Sequence, residues 1–167
     1  MKIPPARVKQ LRDLSGAGIM ECRNALLEAE GEEEKALHIL KERSLLRVQK
    51  KTKRSTTQGI IAAYIHAGGH IGAMVEVNCE TDFVARTDEF KELLHHLAMQ
   101  VAAMSPQFVS GEEIPEGADV EPQVACLLLQ PDIKNPDRTI QDIINETIAK
   151  VGENIKIRRF VRFELGS

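Results

Sequence analysis

No stretch of this sequence approaches the roughly 18 consecutive apolar residues that a membrane-spanning helix needs. The start, Met1-Lys2-Ile3-Pro4-Pro5, has neither an apolar secretory core nor an Arg/Ser-rich amphipathic presequence. Cysteine is sparse and scattered: Cys22, Cys79 and Cys126 form no CxxC pair, show no metal-ligand spacing, and are odd in number. Together these absences predict a reducing, cytoplasmic and bacterial setting. A basic surplus is missing too. The net charge is −3 and the pI near 6.0, whereas a nucleic-acid-binding domain commonly has a pI above about 9. Any basic patch must therefore be local.

What is present is an ordinary globular composition, 43% hydrophobic and 28% charged, well away from the low hydrophobicity of disordered chains. The 167 residues suffice for one ordinary domain, or for a small domain of about 50 residues attached to one of about 110. The second arrangement fits the pattern better. Residues 4 to 45 predict three short helices. Pro4 and Pro5 open the first, which carries Val8, Leu11 and Leu14 at helical spacing. Ser15-Gly16-Ala17-Gly18 ends it. The second carries Ile19, Arg23, Leu26 and Leu27 on neighbouring faces and stops at Gly31. The third begins in Glu32, Glu33 and Glu34, turns Ala36, Leu37 and Leu40 inward, and runs to about Leu45.

From Arg47 to Arg54 the apolar period disappears and five of eight residues are basic, which predicts a linker over 47–56 between a helical domain at 1–46 and a second domain at 57–167. Two strands, 59–67 and 70–79, flank Gly68-Gly69 as a hairpin. Ile71, Ala73, Val75, Val77 and Cys79 share one face. Thr87 caps a following helix striped by Phe90, Leu93, Leu94, Leu97, Val101 and Met104. A loop follows over 105–118, with a short strand at Gln107 to Val109. Further helices are expected at about 119–130 and 139–151, the second capped by Thr139 and closed by Gly152. The tail carries Ile155, Ile157 and then Phe160 or Val161 in near alternation, a third strand for the sheet. The fold class is α+β, a three-helix bundle followed by a core of three antiparallel strands packed on helices.

Motifs that could carry catalysis have plainer readings. Gly68-Gly69 is a hairpin turn, since no helix and no GK[ST] follow it. His66 and His70 flank that turn but lack a third ligand, and zinc needs three or four. His95 and His96 point about 100° apart on a helix. Cys79, on the apolar face of a strand, predicts a buried and inert thiol. The basic run has only Tyr64 near it and no stacking platform for single-stranded nucleic acid. No cofactor, metal or catalytic residue is expected.

Two segments resist a purely structural explanation. Thr81-Asp82-Phe83-Val84 links a strand to a capped helix and places an aromatic residue on a connection, where function concentrates. Phe83 either tucks back as a helix staple or projects as a wedge into a partner, where its burial contributes roughly 1.5 to 3 kcal/mol. The loop from Arg12 to Met20 has two glycines that permit a tight turn. Met20 is either core or an adaptable contact.

These segments carry a resemblance. Leu11-Arg12-Asp13-Leu14-Ser15-Gly16-Ala17-Gly18-Ile19-Met20-Glu21-Cys22 is similar to the N-terminal signature of the elongation factor Ts family. Glu76-Val77-Asn78-Cys79-Glu80-Thr81-Asp82-Phe83-Val84-Ala85 resembles its second signature, and Gly152-Glu153-Asn154-Ile155 with Arg158-Arg159 a third. The three span nearly the whole chain in the family's order. Departures are mild: Ser15 stands where Thr is usual, Ile19 where Met is common, and Arg23-Asn24 where two lysines are frequent.

The resemblance implies a ubiquitin-associated-like N-terminal domain and a non-catalytic factor that binds elongation factor Tu and releases its GDP. It implies that Asp82 and Phe83, flanked by Thr81 and Val84, intrude between helices of the partner's GTPase domain and disturb its Mg²⁺ and phosphate region. Arg12, Ile19 and Met20 are implied to contact the same domain. Many family members have two related core halves and a coiled-coil insertion, whereas this chain resembles the short form, which is understood to dimerise through its sheet; a homodimer is therefore expected, with no nucleic acid or membrane as partner. Two competing readings make different predictions. A ubiquitin-associated-type module tethered to an RNA-binding sheet would show steep salt dependence, with a log slope of about 0.7 per neutralised phosphate. A small thiol or metal enzyme would show bound metal or a reactive cysteine.

Overall fold

Proline at the first helical position costs no hydrogen bond and presets the backbone, so Pro5 opens α1, Pro5–Ser15. The helix ends where Gly16 takes the left-handed conformation, φ 67°, and its N–H donates to the Arg12 carbonyl at 2.8 Å. Helix α2, Ile19–Glu28, buries Cys22, Ala25 and Leu26, and α3, Glu33–Lys51, buries Ala36 and Leu40. With Val8 and Leu11 these residues form the core of an N-terminal bundle. The computed structural model describes residues 2–167, and the chain divides after Lys50, the second unit running from Lys51 to Ser167.

Two expectations in the bundle need correction. Helix α3 continues to Lys51, so the first five residues of the expected 47–56 linker are helical. Loss of apolar period does not end a helix whose next residues, Arg47, Gln49, Lys50 and Lys51, are good helix formers. Leu14, expected to face inward, is 62% exposed.

In the second unit β1, Gln58–Ile65, and β2, Ile71–Cys79, pair antiparallel across the Gly68-Gly69 turn, and β3, Ile155–Glu164, pairs with the other side of β2. The strand order is thus β1-β2-β3. The inner face of β2 is Ala73, Val75, Val77 and Cys79, all buried. A register shift between Glu76 and Val77 leaves Arg158 as an extra residue, since Glu76 pairs with Arg159 and Val77 with Ile157. That bulge resolves the ambiguous alternation of the tail: Phe160 pairs with inward Val75, and Val161 with outward Met74.

After the short helix α4, Asp82–Ala85, comes α5, Asp88–Met104, which is capped by the Thr87 hydroxyl and packs on β1 and β2. Its stripe of Phe90, Leu93, Leu94, Leu97 and Val101 is buried, while Met104 is 38% exposed. The helix expected at about 119–130 shrinks to α6, Pro122–Ala125, and a single 3-10 turn at Leu127–Leu129. Cys126 between them is extended and forms a parallel bridge with Phe108. The Ala125 carbonyl accepts from Phe108 N–H at 3.0 Å, and Leu127 N–H donates to the Phe108 carbonyl at 2.9 Å. A long-range bridge thus takes groups that a continuous helix would have used; it is all that forms of the strand expected at Gln107 to Val109.

The loop leading to the last helix is tied to α5 through buried polar groups. Gln100 Nε2 donates to Gln130 Oε1 at 3.2 Å and to the Pro131 carbonyl at 3.0 Å, and His96 Nε2 lies 2.6 Å from Asp132 Oδ1. Burial pushes the Asp132 carboxyl up, but the Lys134 N–H, His96 and Arg138 outweigh it and hold it below its ordinary value. Helix α7, Ile140–Val151, then opens on a reciprocal capping box between Thr139 and Asp142 and buries Ile140, Ile143, Ile144 and Ile148. Gly152, left-handed at φ 80°, turns the chain from α7 into β3.

Candidate partner-binding site

The seven residues singled out from the sequence fall into two groups, one in each unit. In the N-terminal bundle the turn between α1 and α2 is braced from within. Ser15 Oγ donates to the Leu11 carbonyl at 2.6 Å and accepts from Ala17 N–H at 3.3 Å, while the Glu21 carboxylate accepts from Gly18 N–H at 3.2 Å. A braced turn sets the first residues of α2 in place. Because Cys22, Ala25 and Leu26 take the inward face, Ile19 and Met20 point outward, 55% and 59% exposed. They line a shallow groove with Arg12, Gly16, Ala17 and Gly18. The core reading of Met20 is thereby set aside. Leu14, in the last turn of α1, adds an exposed apolar side chain that helical spacing alone misassigned.

In the second unit Thr81 caps α4, its hydroxyl accepting from Val84 N–H at 3.4 Å. The four-residue helix turns Val84 and Ala85 inward, 8% and 6% exposed, and leaves Phe83 78% exposed. Phe83 is therefore no staple, and Val84 anchors the turn instead of being presented. Asp82 pairs with Arg86 at 2.7 Å, one turn on, at the surface. The tip thus offers an aromatic ring beside an already paired carboxylate.

Its base is held by residues that sequence reasoning left without a role. Glu153 accepts from Thr81 Oγ at 2.6 Å and from Thr81 N–H at 3.0 Å. Glu80 accepts from Asn154 N–H at 2.7 Å, and Asn154, fully buried, donates from Nδ2 to the Thr52 and Arg54 carbonyls at 3.2 and 2.7 Å. The signal for this role was the Gly152-Glu153-Asn154-Ile155 motif itself, but no spacing rule links it to a residue 72 positions away. Cys79, beneath the tip, is buried and its Sγ donates to the Thr81 carbonyl at 3.1 Å. Burial pushes this thiol up and the nearby Glu153 charge adds to the rise, so it is a poor nucleophile.

The other candidates are occupied structurally. Tyr64 Oη lies 3.1 Å from His66 Nδ1, His95 stacks edge-on against Tyr64, and His96 serves Asp132. Among the described residues no three His, Cys, Asp or Glu side chains gather to hold a metal ion. Two members of the basic run have acidic partners, Arg47 with Glu21 and Arg54 with Glu80. No helix among the described residues is long and apolar enough to cross a membrane.

The outer face of the sheet has a different character. Ile61, Ile65, Met74, Val161 and Phe163 are all substantially exposed there, with Met74 opposite Val161 and Phe163 opposite Gly72, which itself lies opposite Ile65. Ile65, Met74 and Phe163 line an apolar strip with Leu165 near the hairpin end. A contiguous exposed strip of this kind marks an interaction surface.

Comparison with known proteins places the chain among relatives. The profile of the family described as "Elongation factor TS" matches residues 17–124. The elongation factor Ts of Carboxydothermus hydrogenoformans is 49% identical over 95% of this chain and 87% of its own length. Those of Heliobacterium modesticaldum and Coprothermobacter proteolyticus are 46% and 45% identical, over 98% and 99% of this chain and 90% and 100% of their own lengths. The matched spans, 189 to 196 residues, exceed the 167 residues here, so these relatives carry segments without a counterpart in this chain. Extended matches at this identity establish that the chain belongs to the elongation factor Ts family of translation elongation factors.

Proposed function

We propose that this chain is a guanine-nucleotide exchange factor for elongation factor Tu, acting without chemistry of its own in the cytoplasm. The observation that carries the reading is Phe83, largely exposed on a turn whose base is pinned by hydrogen bonds. A free aromatic ring on a held support is suited to entering a partner. Asp82 and Phe83 would intrude into the GTPase domain and disturb the region that holds Mg²⁺ and phosphate. Arg12, Ile19 and Met20 would grip the same domain.

The mechanism is a coupling of two equilibria. If the chain binds nucleotide-free partner better than the GDP-bound form, linkage lowers GDP affinity by the same factor. A thousandfold effect requires about 4 kcal/mol of differential binding, whereas burying one Phe supplies roughly 1.5 to 3 kcal/mol. Both groups of residues must therefore contribute, over an interface of about 1,600 Å² or more. The apolar outer face of the sheet would be covered by a second copy of the chain, giving a homodimer; neither nucleic acid nor a membrane is needed as partner.

The test is stopped-flow release of labelled GDP from elongation factor Tu. Acceleration that saturates with added chain is the expected result. Unchanged release at saturating chain would remove the proposal.

A further inference from the structure

Beyond the last rung of the sheet, the Cys79–Ile155 pair, β2 and β3 diverge and their backbones no longer pair. Two carboxylates replace the missing ladder, and they do so reciprocally. Glu80, at the exit of β2, accepts from the N–H of Asn154; Glu153, at the entry of β3, accepts from both donors of Thr81. Asn154 then fastens this crossing to the Thr52 and Arg54 carbonyls. The result is a bracket around the one residue that caps α4.

Resting on the exchange reading above, we infer that Glu153 is a positioning residue for the exchange tip, acting through Thr81 to hold Phe83 in the orientation in which it enters the partner. A four-residue helix is too short to be stable on its own, so its geometry depends on its N-cap. With its proton on Glu153, the Thr81 hydroxyl turns a lone pair to Val84 N–H. Only a carboxylate serves here. It offers two acceptor oxygens to two donors, whereas an amide at the same position offers one oxygen and turns its NH₂ toward a donor. Charge-assisted bonds of this kind are about twice as strong as neutral ones. Remove them and the tip loses its fixed base, while the buried stripe of α5 keeps its packing.

Two measurements test this. The first is amide hydrogen exchange in the free protein. Glu153→Ala should speed exchange at Val84 to Thr87, whose N–H groups bond within the turn, by about tenfold or more, with Leu93 to Val101 unchanged; Glu153→Gln should fall between. An unchanged pattern at 84–87 in Glu153→Ala overturns the bracket. The second is GDP release from elongation factor Tu in a double-mutant cycle. Glu153→Ala should slow release about tenfold alone but less than about twofold in a Phe83→Ala background, although its effect on thermal stability is the same in both. Full additivity in the release rates overturns the inference. The amide measurement needs no partner, so failure of the parent chain to release GDP, which overturns the functional reading, is told apart from failure of the bracket.

Discussion

Replacing Phe83 by Ala separates function from stability, because the ring is largely exposed in the free protein. With 78% of the residue exposed, only about a fifth of the roughly 1.5 to 3 kcal/mol available from burying a Phe is realised in the free protein. That is about 0.5 kcal/mol, near the range of ordinary surface substitutions, and it lowers Tm by less than about 3 °C. In the complex the same ring would be buried, and its loss would remove most of that roughly 1.5 to 3 kcal/mol from the exchange-competent state. The corresponding slowing of GDP release is about 8- to 60-fold. Differential scanning calorimetry and stopped-flow release on one preparation measure both quantities. A Tm fall of more than about 6 °C with release unchanged would instead make Phe83 a core residue and not a wedge.

Ile19→Ala together with Met20→Ala should weaken binding to elongation factor Tu by about 10-fold or more, from the apolar area removed, with Tm within about 3 °C of the parent; isothermal titration measures the affinity. Phe163→Glu places a charge in the exposed apolar strip and should shift sedimentation from dimer to monomer while leaving the far-UV circular dichroism intact. Asp132→Asn should cost about 3 kcal/mol at neutral pH, since it removes a buried carboxylate that holds His96 by a hydrogen bond and pairs with Arg138. Because the folded carboxyl lies below the ordinary value of 3.8, its contribution is complete above that pH. It is lost as pH falls through the folded value, so the gap between parent and variant in urea titrations should narrow only below about pH 4.

What could be read from the sequence was local. Thr87 and Thr139 announce helix starts by their side-chain chemistry, Gly68-Gly69 announces a hairpin, and Ile71 to Cys79 alternate because one face of β2 is buried. The parts that could not be read depend on distant residues. Cys126 is extended because Phe108 bridges to it, and Phe160 faces inward because Arg158 bulges opposite Glu76. The basic run looked like a linker because Arg47, Gln49, Lys50 and Lys51 carry no apolar period, although they extend a helix well. At the candidate site the motif letters marked Thr81 to Val84, but their roles came from burial. Val84 holds the turn, Phe83 leaves it, and Glu153 fixes it from the far end of the chain.

If the chain and GDP oppose each other on elongation factor Tu, a closed thermodynamic cycle shows it. Affinity of the chain for the nucleotide-free and GDP-bound partner, and affinity of GDP with and without saturating chain, complete the four sides. The chain should prefer the nucleotide-free form and weaken GDP by the same factor, on the order of a thousandfold. Equal affinity of the chain for the two forms would contradict it.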